Sequence, residues 1–237
     1  MIPNHILILG PSYSSKVQIA NLIAKKDEKS NEEQEQNDKI IKTSITTKYY
    51  SLDLNIFIDE YFETRKSHPL SDREKLDALI KWSDEFLSEE CVDLREVLDG
   101  FIFCVSFSED SVDYISKGIN IIDTIRSKLV DNDKFEGFFT IIGSNYHSDS
   151  DVNESIEDLI ISSGYEYINF DISGKNEYDE TIGKDRIIEL IESNEWTHMN
   201  LIKHNDYENS KMQKLNDMTK GLLSQDDNDD GDENNNA

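Results

Sequence analysis

Short, nearly all-apolar runs alternate along the chain with longer segments whose apolar residues recur at helical spacing. Runs of the first kind are typical of strands that are buried on both faces of a parallel sheet. They are HILIL (5–9), FIFCVSF (101–107), FFTIIG (138–143) and the weaker YEYINFDI (165–172). Residues 45–59 contain two β-rich halves around Ser51 and Leu52, which predicts an antiparallel strand pair.

Helical spacing fills the gaps between these runs. The predicted helices cover 16–26, 72–88, 111–130, 153–163 and 184–193. The third begins at the capping residue Ser111, and its apolar stripe predicts core packing rather than a cofactor site. That stripe is Ile115, Ile119, Ile122, Ile125 and Leu129. Alternation of strands and helices predicts an α/β fold in which helices flank a mostly parallel sheet.

Two strongly acidic segments interrupt this pattern, DEKSNEEQEQNDK (27–39) and DDNDDGDENNNA (226–237). Neither can bury enough apolar surface to offset the entropy of ordering, so both are expected to be solvated. A recognition role toward a basic partner is the alternative for both. The predicted organisation is a folded domain over 1–196 with a flexible acidic insert at 27–44, a helical segment over 197–224 and a disordered acidic tail over 225–237.

The segment before the acidic tail has an amphipathic portion that a helix would organise into one apolar face. An isolated helix of this length is marginal in water, so the face is expected either to dock on its own domain or to bind a partner or a second copy of the chain. Met-rich faces adapt to differing surfaces. Leu215, Met218 and Leu222 on this face are candidate partner-binding residues, beside Met212 and Leu223.

Charge and composition restrict the partners. The net charge is −26, which argues against direct binding to nucleic-acid phosphates or anionic bilayers and favours neutral or basic protein surfaces. No run approaches a membrane span and no signal-peptide pattern opens the chain, so a soluble cytoplasmic protein is expected. Two cysteines without CxxC spacing and five scattered histidines predict neither a disulfide nor a metal site.

The first strand is followed by GPSYSSKV (10–17), which has the frame of a phosphate loop. A working loop has Gly, four residues, Gly, Lys and then Ser or Thr, because backbone N–H groups wrap the phosphates and the hydroxyl binds Mg²⁺. Gly10 and Lys16 stand at the expected positions. Ser15 replaces the second Gly and Val17 replaces the hydroxyl residue, so the loop is degenerate.

The order of strands and helices is that of a small-GTPase domain, whose other nucleotide motifs are also degenerate here. The third strand ends in Asp59, but Phe62 stands where the DxxG turn has its Gly. After the fifth strand, Asn145 fits the guanine motif NKxD, whereas Tyr146 and Ser148 replace its Lys and Asp.

A last stretch, Ser173, Gly174 and Lys175, resembles the SAK-like turn of GTPases, which is common and weakly specific. The predicted fold is therefore small-GTPase-like, with degenerate nucleotide motifs, no catalytic residues and no cofactor. The alternative is a divergent GTPase or other NTPase in which Lys16 still reaches a phosphate.

Three stretches resemble the increased-recombination-centres proteins of fungi, relatives of the alpha- and gamma-adaptin-binding protein of animals. They are KYY (48–50), KWSDEFLSEECVDLREVLDG (81–100) and EYDETIGKDRIIELIESNEW (177–196). The matching positions are Trp82, Glu85, Phe86, Cys91, Leu94, Arg95 and Gly100 in the second stretch, and Gly183, Arg186, Ile187, Ile188 and Trp196 in the third. The resemblance covers the first strand to about Trp196.

This resemblance implies a Rab-like pseudo-GTPase fold without nucleotide binding, and a non-enzymatic role in vesicle-mediated transport as a clathrin-coat accessory or adaptor-assembly factor. The implied partners are adaptor subunits and a Rab-type GTPase. The family name also suggests a link to chromosome maintenance, although the acidic balance weighs against direct DNA contact. Arg186 either pairs with a carboxylate of this acidic chain or contacts a partner, and Trp82, Phe86 and Trp196 are expected core anchors.

Overall fold

The computed structural model describes residues 2–25, 39–62, 70–132, 135–147 and 150–202, without the side chains of Asn132 and Ser150. The described residues up to Asn200 form one compact unit. The predicted apolar face with Leu215, Met218 and Leu222 and the acidic tail lie outside the described residues, so both stay predictions.

Strands and helices alternate as expected. The strands are β1 (Asn4–Leu9), β2 (Ile40–Thr46), β3 (Tyr50–Asp59), β4 (Leu98–Ser106), β5 (Phe138–Ser144), β6 (Glu166–Asn169), β7 (Ser173–Lys175), β8 (Thr181–Ile182) and β9 (Asn200–Leu201). The helices are α1 (Lys16–Ile23), α2 (Asp72–Phe86), α3 (Val92–Glu96), α4 (Val112–Asn132), α5 (Ser150–Ser162) and α6 (Gly183–Ser193). Helix α3, the short pair β7–β8 and β9 were not predicted. Strand β9 also corrects the predicted helical segment over 197–224, whose residues 200 and 201 are strand.

Six strands follow the order β2-β3-β1-β4-β5-β6 through the main sheet. Strand β1 lies parallel to both β3 and β4, β4 to β5, and β5 to β6, while β2 is antiparallel to β3. This arrangement confirms the small-GTPase-like fold. Because β2 and β3 lie on one side of β1 and β4 to β6 on the other, the strand order reverses at β1, and the carboxyl end of β1 is where such a sheet opens a binding crevice.

The antiparallel pair β2–β3 is confirmed, but its turn is three residues earlier than predicted. Thr47 donates its backbone N–H to the Tyr50 carbonyl at 2.9 Å, and Thr46 pairs with Ser51. The predicted insert over 27–44 is consequently wrong at its end, since β2 begins at Ile40. The charged run stops at Lys39, and Ile41 and Ile45, four residues apart on one face of the strand, are buried.

The core has two layers, one on each face of the sheet. Helices α2, α4 and α5 cover one face, where every member of the predicted α4 stripe is at most 2% exposed. Helices α1 and α6 cover the other face. Trp82 stacks on Phe86 with ring centroids 4.9 Å apart, and Trp196 is buried against Phe138, so all three predicted anchors are structural.

The chain that leaves α6 is fixed to the amino end of β1. The Asn4 amide brackets the backbone of His198, donating to its carbonyl at 2.6 Å and accepting from its N–H at 2.9 Å. The hydroxyl of Thr197 donates to the carboxylate of Asp99 at 2.6 Å. Residues up to His198 therefore belong structurally to the folded domain, slightly beyond the predicted boundary at 196.

Candidate functional site

The phosphate-loop frame lies at the carboxyl end of β1, as the sequence predicts. The backbone N–H of Gly10 donates to the carbonyl of Asp59 at the end of β3, at 3.3 Å. A Cβ at Gly10 would meet the Ser14 hydroxyl at 2.5 Å and the Cys104 Cβ at 2.9 Å, so only glycine fits. Helix α1 begins at Lys16. The loop is therefore in the position that nucleotide-binding proteins of this topology use.

Lys16 is the residue that would reach a phosphate, but acceptor groups of the protein itself already bind its ammonium group. The residue is buried, and its Nζ donates to the Pro11 carbonyl at 2.7 Å. The same Nζ lies 3.1 Å from the Glu60 carboxylate. The Ser14 hydroxyl also donates to the Pro11 carbonyl, at 2.7 Å. An internal carboxylate thus stands where a nucleotide would bring its negative charge.

The positions that would bind Mg²⁺ are also altered. The Val17 side chain is apolar and 45% exposed, and Ser15 makes no side-chain capping bond at the start of α1. One Asp59 oxygen accepts from the Trp82 indole N–H at 2.8 Å, and the other accepts from the Glu60 backbone N–H at 2.9 Å. The Asp59 carboxylate is therefore satisfied by protein donors.

The region of the guanine motif is filled by aromatic side chains. The Tyr146 ring stacks on Phe107 at 4.7 Å, and its hydroxyl hydrogen-bonds to Glu157 and Tyr167. Burial raises the pKa of Tyr146, so the phenol stays neutral at physiological pH. Asn145 donates to the Ser106 hydroxyl at 3.2 Å. Ser148 lies outside the described residues.

The SAK-like stretch has a different structure from a base-binding turn. Ser173, Gly174 and Lys175 form β7, which pairs with β8 in a small hairpin. The Gly174 backbone N–H donates to the Asp185 carboxylate at 2.7 Å. This stretch therefore serves the hairpin and its attachment to α6.

Sequence reasoning missed a buried charge cluster beside the loop, which we call the Lys75 cluster: Tyr13, Tyr61, Lys75, Asp110 and Tyr114. Lys75 and Asp110 are 6% and 5% exposed, and the Lys75 Nζ lies 3.1 Å from the Asp110 carboxylate. The Tyr13 hydroxyl donates to the same carboxylate. Tyr61 and Tyr114 share a hydrogen bond of 2.5 Å between their hydroxyls. The cluster ties the phosphate loop to α2 and to the end of β4.

Arg186 and Cys104, which the sequence singles out, both have structural roles. Arg186 forms ion pairs with Glu166 at 2.7 Å and Glu189 at 3.0 Å, and its hydrogen bond to Glu166 is the main cause that raises its pKa. The partner-contact role of Arg186 stays a prediction. Burial raises the pKa of the Cys104 thiol to about 12, which leaves it protonated and unreactive.

In the parts of the chain that the structure describes, no group of three or more His, Cys, Asp or Glu side chains is placed to hold a metal ion. Over the same ranges, no helix combines the length and the apolar character needed to cross a bilayer.

We expect purified protein to show no specific binding of GTP or GDP. The reason is that Lys16 is held by Glu60 and Pro11, while Val17 offers no ligand to Mg²⁺. Isothermal titration calorimetry with Mg²⁺ is the measurement. The double variant Ser15→Gly with Val17→Ser is expected to stay silent too, because it leaves the contacts of Lys16 intact. A micromolar dissociation constant for the wild type, worth about 8 kcal/mol, would contradict this prediction.

No protein-family model matches the chain. Over 233 residues the chain is 47% identical to increased recombination centers protein 6 of Candida tropicalis. This alignment covers 94% of this chain and 84% of that protein. The Candida albicans (strain SC5314) protein of the same name is 44% identical over 235 residues, covering 95% and 84%. That of Clavispora lusitaniae is 34% identical over 228 residues, covering 94% and 83%.

A solved structure shares the fold. The crystal structure of yeast Irc6p, described as a novel type of conserved clathrin accessory protein, matches with a TM-score of 0.56. The match covers 84% of this chain and 97% of that chain at 19% identity. The likeness extends over nearly the whole of that chain and concerns the fold alone.

Proposed function

The chain belongs to the increased recombination centers protein 6 family, and from this premise we propose that it is a non-enzymatic clathrin-coat accessory or adaptor-assembly factor of vesicle-mediated transport. One member of this fold, yeast Irc6p, is described as a clathrin accessory protein. The proposed site of action is the cytoplasm, and the proposed partners are adaptor subunits and a Rab-type GTPase.

The observation that carries this proposal is the internal neutralisation of Lys16 by Glu60. A phosphate loop that is closed by its own carboxylate supports a scaffold rather than a hydrolase. The charge of −26 supports basic protein surfaces as partners. The Lys16–Glu60 contact weighs against the NTPase alternative. The negative charge weighs against direct contact with DNA as the basis of a chromosome-maintenance role.

A pull-down with the tagged full-length chain from yeast lysate, read by mass spectrometry, tests the function. Recovery of clathrin adaptor large subunits is the expected result. An untagged lysate and a tagged chain of equal acidity but unrelated sequence are the controls, because a charge of this size also retains basic proteins nonspecifically. Recovery of DNA-repair proteins in place of adaptor subunits would contradict the proposal.

The face predicted in the C-terminal segment gives a second test. Replacing Leu215, Met218 and Leu222 with Asp is expected to abolish adaptor binding or self-association and to leave the melting temperature of the domain nearly unchanged. If the face docks on its own domain instead, stability falls, because burial of three such side chains is worth roughly 4–8 kcal/mol. Deleting 226–237 is the control and is expected to change neither quantity.

A further inference from the structure

The loop of the β7–β8 hairpin contains an exposed tyrosine, Tyr178. This loop is residues 176–180, Asn-Glu-Tyr-Asp-Glu, which we call the NEYDE loop. Tyr178 is 75% exposed, the highest value among the exposed large apolar and aromatic side chains of the described residues. Most of this aromatic ring is left uncovered by its own domain, so its surface is available for packing against another molecule.

The NEYDE loop has a defined conformation, and Asn176 is its centre. The Asn176 backbone N–H donates to the Glu180 carbonyl at 2.9 Å. Its side-chain oxygen accepts from the N–H groups of Tyr178 and Glu180 at 2.9 and 3.0 Å, and its side-chain nitrogen donates to the Glu180 carboxylate at 2.8 Å. Lys175 and Asp179 form an ion pair of 2.8 Å across the loop.

The loop also contains a residue that is costly to place. Asp179 has φ +64°, a conformation that side chains other than glycine adopt at a penalty. The loop is nonetheless held there, and its base is fixed to α6 through Gly174 and Asp185. Because the loop is already ordered, little conformational entropy remains to be lost when it binds a partner.

The chemistry around Tyr178 selects the partner. Its immediate neighbours Glu177 and Asp179 are acidic and exposed, Glu180 follows, and Lys175 offsets only Asp179. These acidic side chains attract Lys and Arg and repel phosphate groups, which excludes nucleic acid and anionic lipid as the partner. Tyrosine is among the residues most enriched where binding energy concentrates in protein interfaces.

We propose that the NEYDE loop is a docking site for a clathrin adaptor subunit, whose surface receives the Tyr178 ring in an apolar slot bordered by Lys and Arg. This inference rests on the proposed function and assigns it a surface. Tyr178 supplies the buried contact, Glu177 supplies attraction at longer range, and the hydrogen bonds of Asn176 fix the geometry.

The chain contains a natural control in Tyr49, a second exposed tyrosine at a hairpin turn. Tyr49 is 57% exposed at the turn between β2 and β3, and the Lys48 ammonium lies 4.6 Å from the centre of its ring. Its ring contacts a lysine, whereas the sequence neighbours of Tyr178 are acidic. If exposure alone let a tyrosine bind the partner, Tyr49 and Tyr178 would both contribute to binding. The proposal requires that only Tyr178 contributes.

The experiment measures binding of the full-length chain to a purified clathrin adaptor large subunit by surface plasmon resonance. Tyr178→Ala is expected to weaken binding ~10-fold or more, while Tyr178→Phe stays close to wild type because it keeps the ring. Glu177→Lys is expected to slow association and to reduce its dependence on salt. Tyr49→Ala is expected to have no effect on binding. Glu154→Lys, which reverses an exposed charge on α5 at the opposite face of the sheet, is also expected to have none.

Each outcome decides something. Unchanged binding of Tyr178→Ala, or an equal loss in Tyr49→Ala, overturns the docking site while the proposed function stands. A wild-type chain that does not bind any purified adaptor large subunit overturns the proposed function and the docking site together. Melting temperatures of all variants equal to that of the wild type show that a loss of binding is not a loss of folding.

Discussion

Replacing Asp110 with alanine is expected to lower the free energy of unfolding by about 3–5 kcal/mol, because it leaves the buried ammonium of Lys75 without its counter-charge. The Asp110 carboxylate also accepts from the Ser106 backbone N–H at 2.9 Å and from the Tyr13 hydroxyl. Burial raises the pKa of Asp110, and the hydrogen bonds from Tyr13, Ser106 and Lys75 oppose that shift. Removal of the carboxylate therefore takes an acceptor from three polar groups in a low-dielectric environment, although Lys75 keeps its hydrogen bond to the Glu109 carbonyl at 2.7 Å.

Urea denaturation followed by circular dichroism measures this loss. Asp113→Ala is the matched control, because Asp113 pairs with Lys117 at 2.6 Å on the exposed face of α4 and is expected to contribute less than about 1 kcal/mol. Adding Lys75→Met to Asp110→Ala is expected to restore much of the stability, since the buried charge is then gone. A loss below about 1 kcal/mol for Asp110→Ala alone would refute the structural role of the Lys75 cluster.

Gly183→Ala is the second substitution for which a large effect is expected, a loss of at least about 3 kcal/mol. Gly183 has φ +62°, and a Cβ there would lie 2.0 Å from the carbonyl oxygen of Ile172. The left-handed conformation alone costs a residue with a Cβ roughly 1–2 kcal/mol, and overpacking adds about 1–3 kcal/mol. The neighbour is backbone and cannot turn aside, so α6 and the chain before it must separate.

Gly164→Ala and Gly174→Ala separate these two contributions. Both glycines have positive φ, at +79° and +101°, but a Cβ at either would meet nothing within 4 Å. Thermal unfolding of the three variants side by side is expected to show a much larger loss for Gly183→Ala. Equal losses at all three positions would mean that the close approach to Ile172 carries no energetic weight.

The sheet and its helices could be predicted because each buried strand appears in the sequence as an apolar run. The helix α4 could be predicted because five of its apolar residues repeat at helical spacing. The position of the turn between β2 and β3 was wrong because Tyr49 and Tyr50 have strand propensity and mask the turn made by Thr47.

The candidate site could be predicted only in what it lacks. Spacing alone shows that Ser15 and Val17 replace the phosphate-loop residues. The groups that fill the site come from residues that are distant in sequence, as Lys75 and Asp110 are. In the sequence of helix α2, nothing distinguishes Lys75 from a solvated lysine. Glu60 likewise gives no sign in the sequence that it reaches Lys16.

We infer that the ion pair between Lys16 and Glu60 puts a fixed contact where a small GTPase has a nucleotide-dependent switch. A small GTPase changes its partners when hydrolysis removes the γ-phosphate and releases the loops that the phosphate had held. Glu60 is part of the chain and, unlike a γ-phosphate, is not removed by hydrolysis or exchanged, so its contact with Lys16 does not depend on a bound nucleotide. Under the proposed function, mass action therefore governs the encounters of this protein through the concentrations and affinities of its partners, and dissociation rates set their duration.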